Sequence, residues 1–292
     1  MPFILKNSII TAFRSSWIIL KLIVPIYILA DILFYYDALK HITFIFAPIA
    51  GLLNLPAEAT LSIVSGLFLN IYAAIAFAAP LGLSPHQWTI LAVFLGIAHS
   101  LLVETEIMKK LGIPRRYSIL LRLSVGASVG FAVTLFPSSW FREINTNQIA
   151  TEQSIQYDSL FALFQSSLFN ALWLSLQVIA LVSLLIFFLD FLKSLSWVKN
   201  HTQKVNSGFS IAVGVILGIT YGAGILIAEY EKGILQKKDI LFIGTYLMIC
   251  HAIIEDTLLF VIFGANIWII VGLRILFATL FAFGVAKVWK TT

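Results

Sequence analysis

Six apolar runs, at 17–36, 57–79, 118–140, 168–192, 209–228 and 268–289, fix the class of fold open to this chain. Each approaches or exceeds the roughly 20 residues that an α-helix needs to cross a bilayer. Two further runs, 88–111 and 239–263, are equally apolar except for acidic residues placed inside them. With 60% hydrophobic and 11% charged residues over 292 positions, the chain reads as an all-α polytopic membrane protein, and a soluble domain is excluded.

The two acid-bearing runs are copies of each other. Ala98-His99-Ser100-Leu101-Leu102-Val103-Glu104-Thr105 returns 152 positions later (251 − 99) as Cys250-His251-Ala252-Ile253-Ile254-Glu255-Asp256-Thr257. The same step carries Gly66 to Gly218, Gly112 to Gly264 and Arg122 to Arg274, so residues 61–139 and 213–291 read as an internal duplication. Four regions follow: an N-terminal anchor helix with an interfacial segment (1–56), a first repeat (57–140), a connecting region (141–207) and a second repeat (208–292). The connecting region holds an external polar loop, a transmembrane helix and a basic linker.

Charge placement sets the expected topology. If 88–111 crossed fully after a crossing at 57–79, Lys109, Lys110, Arg115 and Arg116 would face away from Lys6 and Arg14, against the positive-inside bias. Read as a re-entrant hairpin, the segment keeps them on one side. Carried through, about six transmembrane helices and two re-entrant helical hairpins place eleven basic residues inside with both termini (Lys6, Arg14, Lys109, Lys110, Arg115, Arg116, Lys193, Lys199, Lys204, Lys287, Lys290). Five fall outside (Lys40, Arg142, Lys232, Lys237, Lys238). Three crossings separate the repeats, so they are inverted and both acidic turns approach the midplane, the broken-helix plan of secondary transporters. The expected location is the cytoplasmic (inner) membrane of a prokaryote. The net charge of +5 belongs to this bias and not to nucleic-acid binding, since no basic face with interleaved polar residues exists.

Leu55-Pro56-Ala57-Glu58-Ala59, Gly66, Asn70-Ile71-Tyr72-Ala73 and Gly96-Ile97-Ala98-His99-Ser100-Leu101 with Glu104 resemble the first nucleoside recognition, or Gate, domain. Gly218-Ile219-Thr220-Tyr221-Gly222-Ala223-Gly224 and the motif at 250–257 resemble the second. The resemblance covers 50–140 and 208–289 and implies a membrane permease scaffold. Related Gate units occur in concentrative nucleoside transporters, ferrous-iron permeases and spore maturation proteins. No G-x-x-x-x-G-K-[ST] phosphate loop is present, so a complete ferrous-iron transporter is excluded.

Acids at membrane depth are costly, which makes Glu104, Glu255 and Asp256 the candidate solute or ion site. Arg122 and Arg274, each 18 residues beyond an acid, either pair with those acids structurally or complement an anionic solute. Half-helices starting at Thr105 and Thr257 would present amides to the same point, and Asn70, Tyr72 and Tyr221 could line a polar path. The acids are suited to a coupling proton or sodium ion. His99 and His251 either hydrogen-bond backbone or gather with carboxylates around a metal ion. Glu106 is expected to pair with Lys109 or Lys110, and Trp17, Trp88, Trp140, Trp268 and Trp289 to anchor at the interface. No nucleophile–base pair or zinc-protease spacing is present, so an enzyme is not expected. The expectation is a secondary transporter for a small polar or anionic, even nucleoside-like, solute. The alternatives are a divalent metal-ion permease and a non-transporting assembly scaffold. Small-residue faces at Gly126/Ala127/Gly130 and Gly214/Gly218/Gly222 offer packing surfaces within the chain or in a homo-oligomer.

Overall fold

The computed structural model describes residues 5–36, 38, 47–141, 159–194, 211–212, 214–216, 218, 226 and 235–288. The expected span at 209–228, Tyr221, Gly222, most of the loop at 141–158, the basic linker and Trp289 lie outside them or are represented by scattered positions. The described elements are helices: α1 Leu5–Tyr35, α2 Ala47–Leu52, α3 Thr60–Phe68, α4 Ile71–Ala78, α5 Pro85–Ala98, α6 Leu101–Lys110, α7 Arg115–Thr134, α8 Leu160–Ser194, α9 Lys237–Ile249, α10 Ile253–Val261 and α11 Ile267–Val288. Among the described residues, six stretches are long and apolar enough to cross a membrane: Leu5–Tyr35, Pro85–Lys110, Arg115–Thr134, Leu160–Phe191, Lys237–Val261 and Ile267–Val288. The chain is an all-α integral membrane protein.

One assignment is exchanged within the first repeat. The run at 57–79, expected to cross, is the hairpin. It breaks at Leu69–Asn70, and α3 and α4 fold side by side, with Ser62 Oγ donating to Ala74 O at 2.8 Å. Asn70 restarts the chain as a helix by accepting the Ala73 N–H with its side chain (3.0 Å).

The run at 88–111, expected to turn back, is a broken helix that keeps its direction. Helix α7 runs antiparallel beside both halves, from His86 Nε2 on Val133 O (2.8 Å), past Gly126 against Phe94, to Thr105 Oγ1 and Ser118 Oγ at 3.2 Å. A hairpin would lay α6 along α5; here α7 lies along both. The basic cluster at 109–116 pointed to re-entry only because 57–79 was taken to cross; with 57–79 as the hairpin, a crossing at 88–111 satisfies the same charge bias.

The second repeat is inverted against the first. Trp88 stacks on Phe263 with centroids 4.3 Å apart, the rings of His99 and His251 lie 5.2 Å apart, and Gly244 opens onto Met108 and Ile113. Helix pair α5–α6 therefore runs antiparallel to α9–α10 with the two breaks face to face. Helix α11 repeats the role of α7, with Phe283 on Phe242 (5.2 Å) and Arg274 at the break. The repeat is not gap-free. A Cβ on Gly66 would meet Leu95 Cδ2 at 2.6 Å, and its counterpart is Gly214 against Leu247 Cδ2 at 2.6 Å, not Gly218. The shift of four residues (218 − 214) is close to one helical turn and preserves the face.

Every residue from Trp88 through Ala98 is buried, which makes α5 the central helix. Trp88 is therefore core, not an interface anchor, whereas Trp17, Trp140 and Trp268 are exposed. Gly126 and Gly130 face Phe94 and Leu53, so this small-residue face serves packing inside the chain. Helices α1 and α8 form an antiparallel pair at the periphery, joined by Ser8 Oγ to Asp190 (2.7 Å) and Ser167 Oγ to Asp31 (2.5 Å). Phe13, Phe161 and Phe169 stand exposed on these helices, as a lipid-facing surface requires.

Candidate functional site

The site is made by two helix breaks. After α5, Ser100 turns into the left-handed region (φ 47) and its N–H leaves its own helix for Gly66 O at 2.8 Å, while its Oγ donates to Leu69 O at 3.1 Å. After α9, Ala252 does the same (φ 43), with its N–H directed at Gly214 O at 3.5 Å. Neither position is glycine, so each break carries roughly 1–2 kcal/mol of backbone strain that the surroundings must outweigh.

The arginines supply that compensation. Arg122 Nε donates to Ile97 O (2.8 Å) and Nη2 to His99 O (2.6 Å); Arg274 Nε donates to Ile249 O (3.2 Å) and Nη2 to His251 O (2.6 Å). Both side chains are fully buried. Each thus caps the carbonyl end of a first half-helix, where a cation is favoured by the dipole, and the acid on the next turn occupies the amide end of the second half-helix. Glu104 Oε2 lies 2.7 Å from Arg122 Nη2, an ion pair not aligned as a hydrogen bond; Asp256 Oδ2 lies 3.3 Å from both terminal nitrogens of Arg274. Arg274 uses all three of its nitrogens on backbone and acid, whereas Arg122 uses Nε and Nη2 and keeps Nη1 without a hydrogen-bond partner among the described residues. The second half-helices begin at Leu101 and Ile253, four residues before the expected Thr105 and Thr257.

The two repeats differ by one methylene where it matters. Asp256 is short and stays on Arg274, whereas Glu104 reaches over, its Oε1 3.2 Å from Nε2 of both His99 and His251. Each imidazole turns its Nδ1 to the carbonyl four residues earlier on its own helix, Leu95 O and Leu247 O, both at 2.8 Å. His99, Glu104 and His251 are the described residues whose ligand atoms could hold a metal, all within 4.8 Å of one another and all buried.

Tyr72 and Glu255 lie at the margin of this centre, where Tyr72 Oη donates to Glu255 Oε1 at 2.8 Å and joins the first-repeat hairpin to α10. Both are half-buried, and among the described residues Glu255 has no cation beside it. Thr105 is held by Ser118, while Thr257 Oγ1 and Arg122 Nη1 are buried without a hydrogen-bond partner among the described residues. Asn70 caps α4 with its side-chain oxygen, and Tyr221 lies outside the described residues. Glu106 pairs with Arg115 (2.5 and 2.8 Å), not with Lys109 or Lys110, and this pair is exposed.

Sequence reasoning missed Gly96. A Cβ there would lie 3.1 Å from Arg274 Nη1, so the glycine makes room in the first repeat for the guanidinium of the second. It also missed Tyr117 Oη to Thr245 Oγ1 (2.7 Å), a polar tie between repeats for which no spacing gave a signal.

The chain is 28% identical to an uncharacterised membrane protein, YvoD, of Bacillus subtilis (strain 168), over 99% of this chain and 96% of that one. No family model matches the chain. No solved structure matches it.

Proposed function

We propose that this protein is a permease of a prokaryotic cytoplasmic membrane, carrying a small polar solute through a midplane site formed between its inverted repeats. The observation that carries the reading is the meeting of two helix breaks, one from each repeat, with His99 and His251 5.2 Å apart and four charged side chains buried around them. Broken helices from inverted repeats are how secondary transporters place polar backbone at membrane depth. The solute is small and polar or anionic, since Arg122 Nη1 keeps a buried N–H without a hydrogen-bond partner among the described residues. Glu255, hydrogen-bonded to Tyr72 and reachable from the margin, is the acid suited to a coupling proton or sodium ion.

Orientation follows from the exchanged hairpin. With 57–79 as the hairpin and 88–111 crossing, Lys6, Arg14, Lys109, Lys110, Arg115, Arg116, Lys237, Lys238 and Lys287 fall on this reading at one end of the bundle, with no described Lys or Arg flanking the other. Lys237 and Lys238, expected outside, thereby join the basic side, which the positive-inside bias assigns to the cytoplasm with both termini.

The test is uptake by proteoliposomes of nucleosides, small amines and divalent metal ions, with sodium and pH gradients applied separately. Saturable uptake of one class that is lost in Glu255→Gln, a variant that leaves both arginine pairs intact, supports the proposal. Equal uptake by wild type and Glu255→Gln under every gradient refutes the assigned coupling, and no uptake above empty liposomes by well-folded protein refutes the permease reading.

A further inference from the structure

Three electron-rich atoms converge at the contact between the breaks. A carbonyl oxygen only accepts, so the 2.8 Å contacts to Leu95 O and Leu247 O place a hydrogen on Nδ1 of both histidines. A neutral ring then turns a bare Nε2 lone pair inward, and both rings aim it at Glu104 Oε1, 3.2 Å away. Two lone pairs and a carboxylate oxygen at this spacing repel one another unless positive charge sits among them, either a second ring proton donated from Nε2 to Glu104 or a bound cation.

The spacing is that of ligands on one ion. Bonds of about 2.1 Å in a tetrahedral arrangement set neighbouring ligand atoms about 3.4 Å apart. The two carboxylate-to-imidazole distances of 3.2 Å agree to within the movement of a side chain, and all three ligand atoms lie within 4.8 Å of one another. The Nδ1–H to carbonyl contacts are the outer-shell bonds that orient metal-binding imidazoles and fix their tautomer. Two nitrogens in a set of three disfavour magnesium and calcium, which take oxygen ligands, and favour zinc or ferrous ion. Asp256 is held by Arg274 and supplies no second carboxylate. Three protein ligands leave one coordination position open, as in sites that exchange water or substrate.

We propose that His99 Nε2, His251 Nε2 and Glu104 Oε1 form a binding site for a divalent transition-metal ion of the zinc or ferrous class, with ligands from both repeats. The inference concerns binding and stands whether or not any solute crosses the membrane, so its failure and that of the permease reading are separate events.

The experiment uses the full chain, purified in detergent and stripped with chelator, titrated with Zn²⁺ and separately with Co²⁺. Saturable binding is expected, weakened by more than roughly 100-fold in His99→Gln and in His251→Gln, since loss of an outer-shell partner alone costs roughly 10–100-fold. Glu106→Gln, at an exposed carboxylate away from the site, should bind as wild type does. X-ray absorption of the Co²⁺-loaded wild type, which needs no variant to fold, should show imidazole scattering. Absence of saturable binding, a bound ion without imidazole scattering, or unchanged affinity in both folded histidine variants would overturn the proposal.

Discussion

Replacing Arg274 by Met should be among the most damaging single changes in this protein. The guanidinium is fully buried and makes four contacts: Ile249 O at 3.2 Å, His251 O at 2.6 Å, and Asp256 Oδ2 at 3.3 Å from each terminal nitrogen. Methionine fills similar volume but leaves Asp256 as an uncompensated buried charge, a loss of about 3–5 kcal/mol. The 3.3 Å contacts are long for charge-assisted bonds, which places the pair's own share toward the lower end. The two carbonyls remain orphaned, at about 1.5–3 kcal/mol for each bond to a charged donor, with partial overlap between terms. A total near 5 kcal/mol is comparable to the whole stability of many domains, about 5–15 kcal/mol. The double variant Arg274→Met/Asp256→Leu removes the stranded charge and should be more stable than Arg274→Met alone by about 2 kcal/mol or more. The assay is reversible unfolding by denaturant in mixed micelles, run as a double-mutant cycle. If each single change costs below about 1 kcal/mol and the two simply add, the pairing carries no energy and the reasoning fails.

Three further outcomes follow from the same geometry. Gly96→Ala puts a methyl 3.1 Å from Arg274 Nη1, and the carbonyl bonds of Nε and Nη2 hold the guanidinium against retreat, so the unfolding titration should show a loss of about 1–3 kcal/mol. Gly66→Ala and Gly214→Ala each bring a Cβ to 2.6 Å from a leucine methyl and should destabilise by similar amounts in the same titration, because they are structural counterparts despite the offset in sequence. Ala252→Gly relieves a left-handed residue (φ 43) that donates no side-chain bond and should stabilise by about 1 kcal/mol, whereas Ser100→Gly also loses the Oγ bond to Leu69 O and should be near neutral by thermal melting.

The helical class, the duplication and the inversion of the repeats were all legible in the residues, because apolar run length and a shared His, acid and Arg register need no tertiary information. The exchange of hairpin and crossing in the first repeat was not. Leu69–Asn70 carries no Gly or Pro to mark a reversal, and the break at Ser100 exists because Arg122 draws two carbonyls out of the helix. That cause lies 22 residues away in sequence (122 − 100). The acids were readable as special positions, but the difference between Glu104 and Asp256 acquires meaning only when one reaches the facing histidines and the other stays on its arginine. The convergence of both imidazoles on one oxygen depends on the inversion bringing the breaks together, which spacing along the chain does not encode.

The measurement that bears most directly on the account is the sidedness of α6 and α9, because break-to-break contact requires the C-terminal end of the first broken helix and the N-terminal end of the second to share a membrane face. With Cys250 replaced by Ser, Lys110→Cys and Lys238→Cys are labelled with a membrane-impermeant maleimide in intact cells and in inverted vesicles. Labelling of both from the cytoplasmic side alone is predicted. Labelling of Lys238→Cys from outside, with Lys110→Cys labelled from inside, would restore the hairpin topology and contradict the inverted crossing on which the site rests.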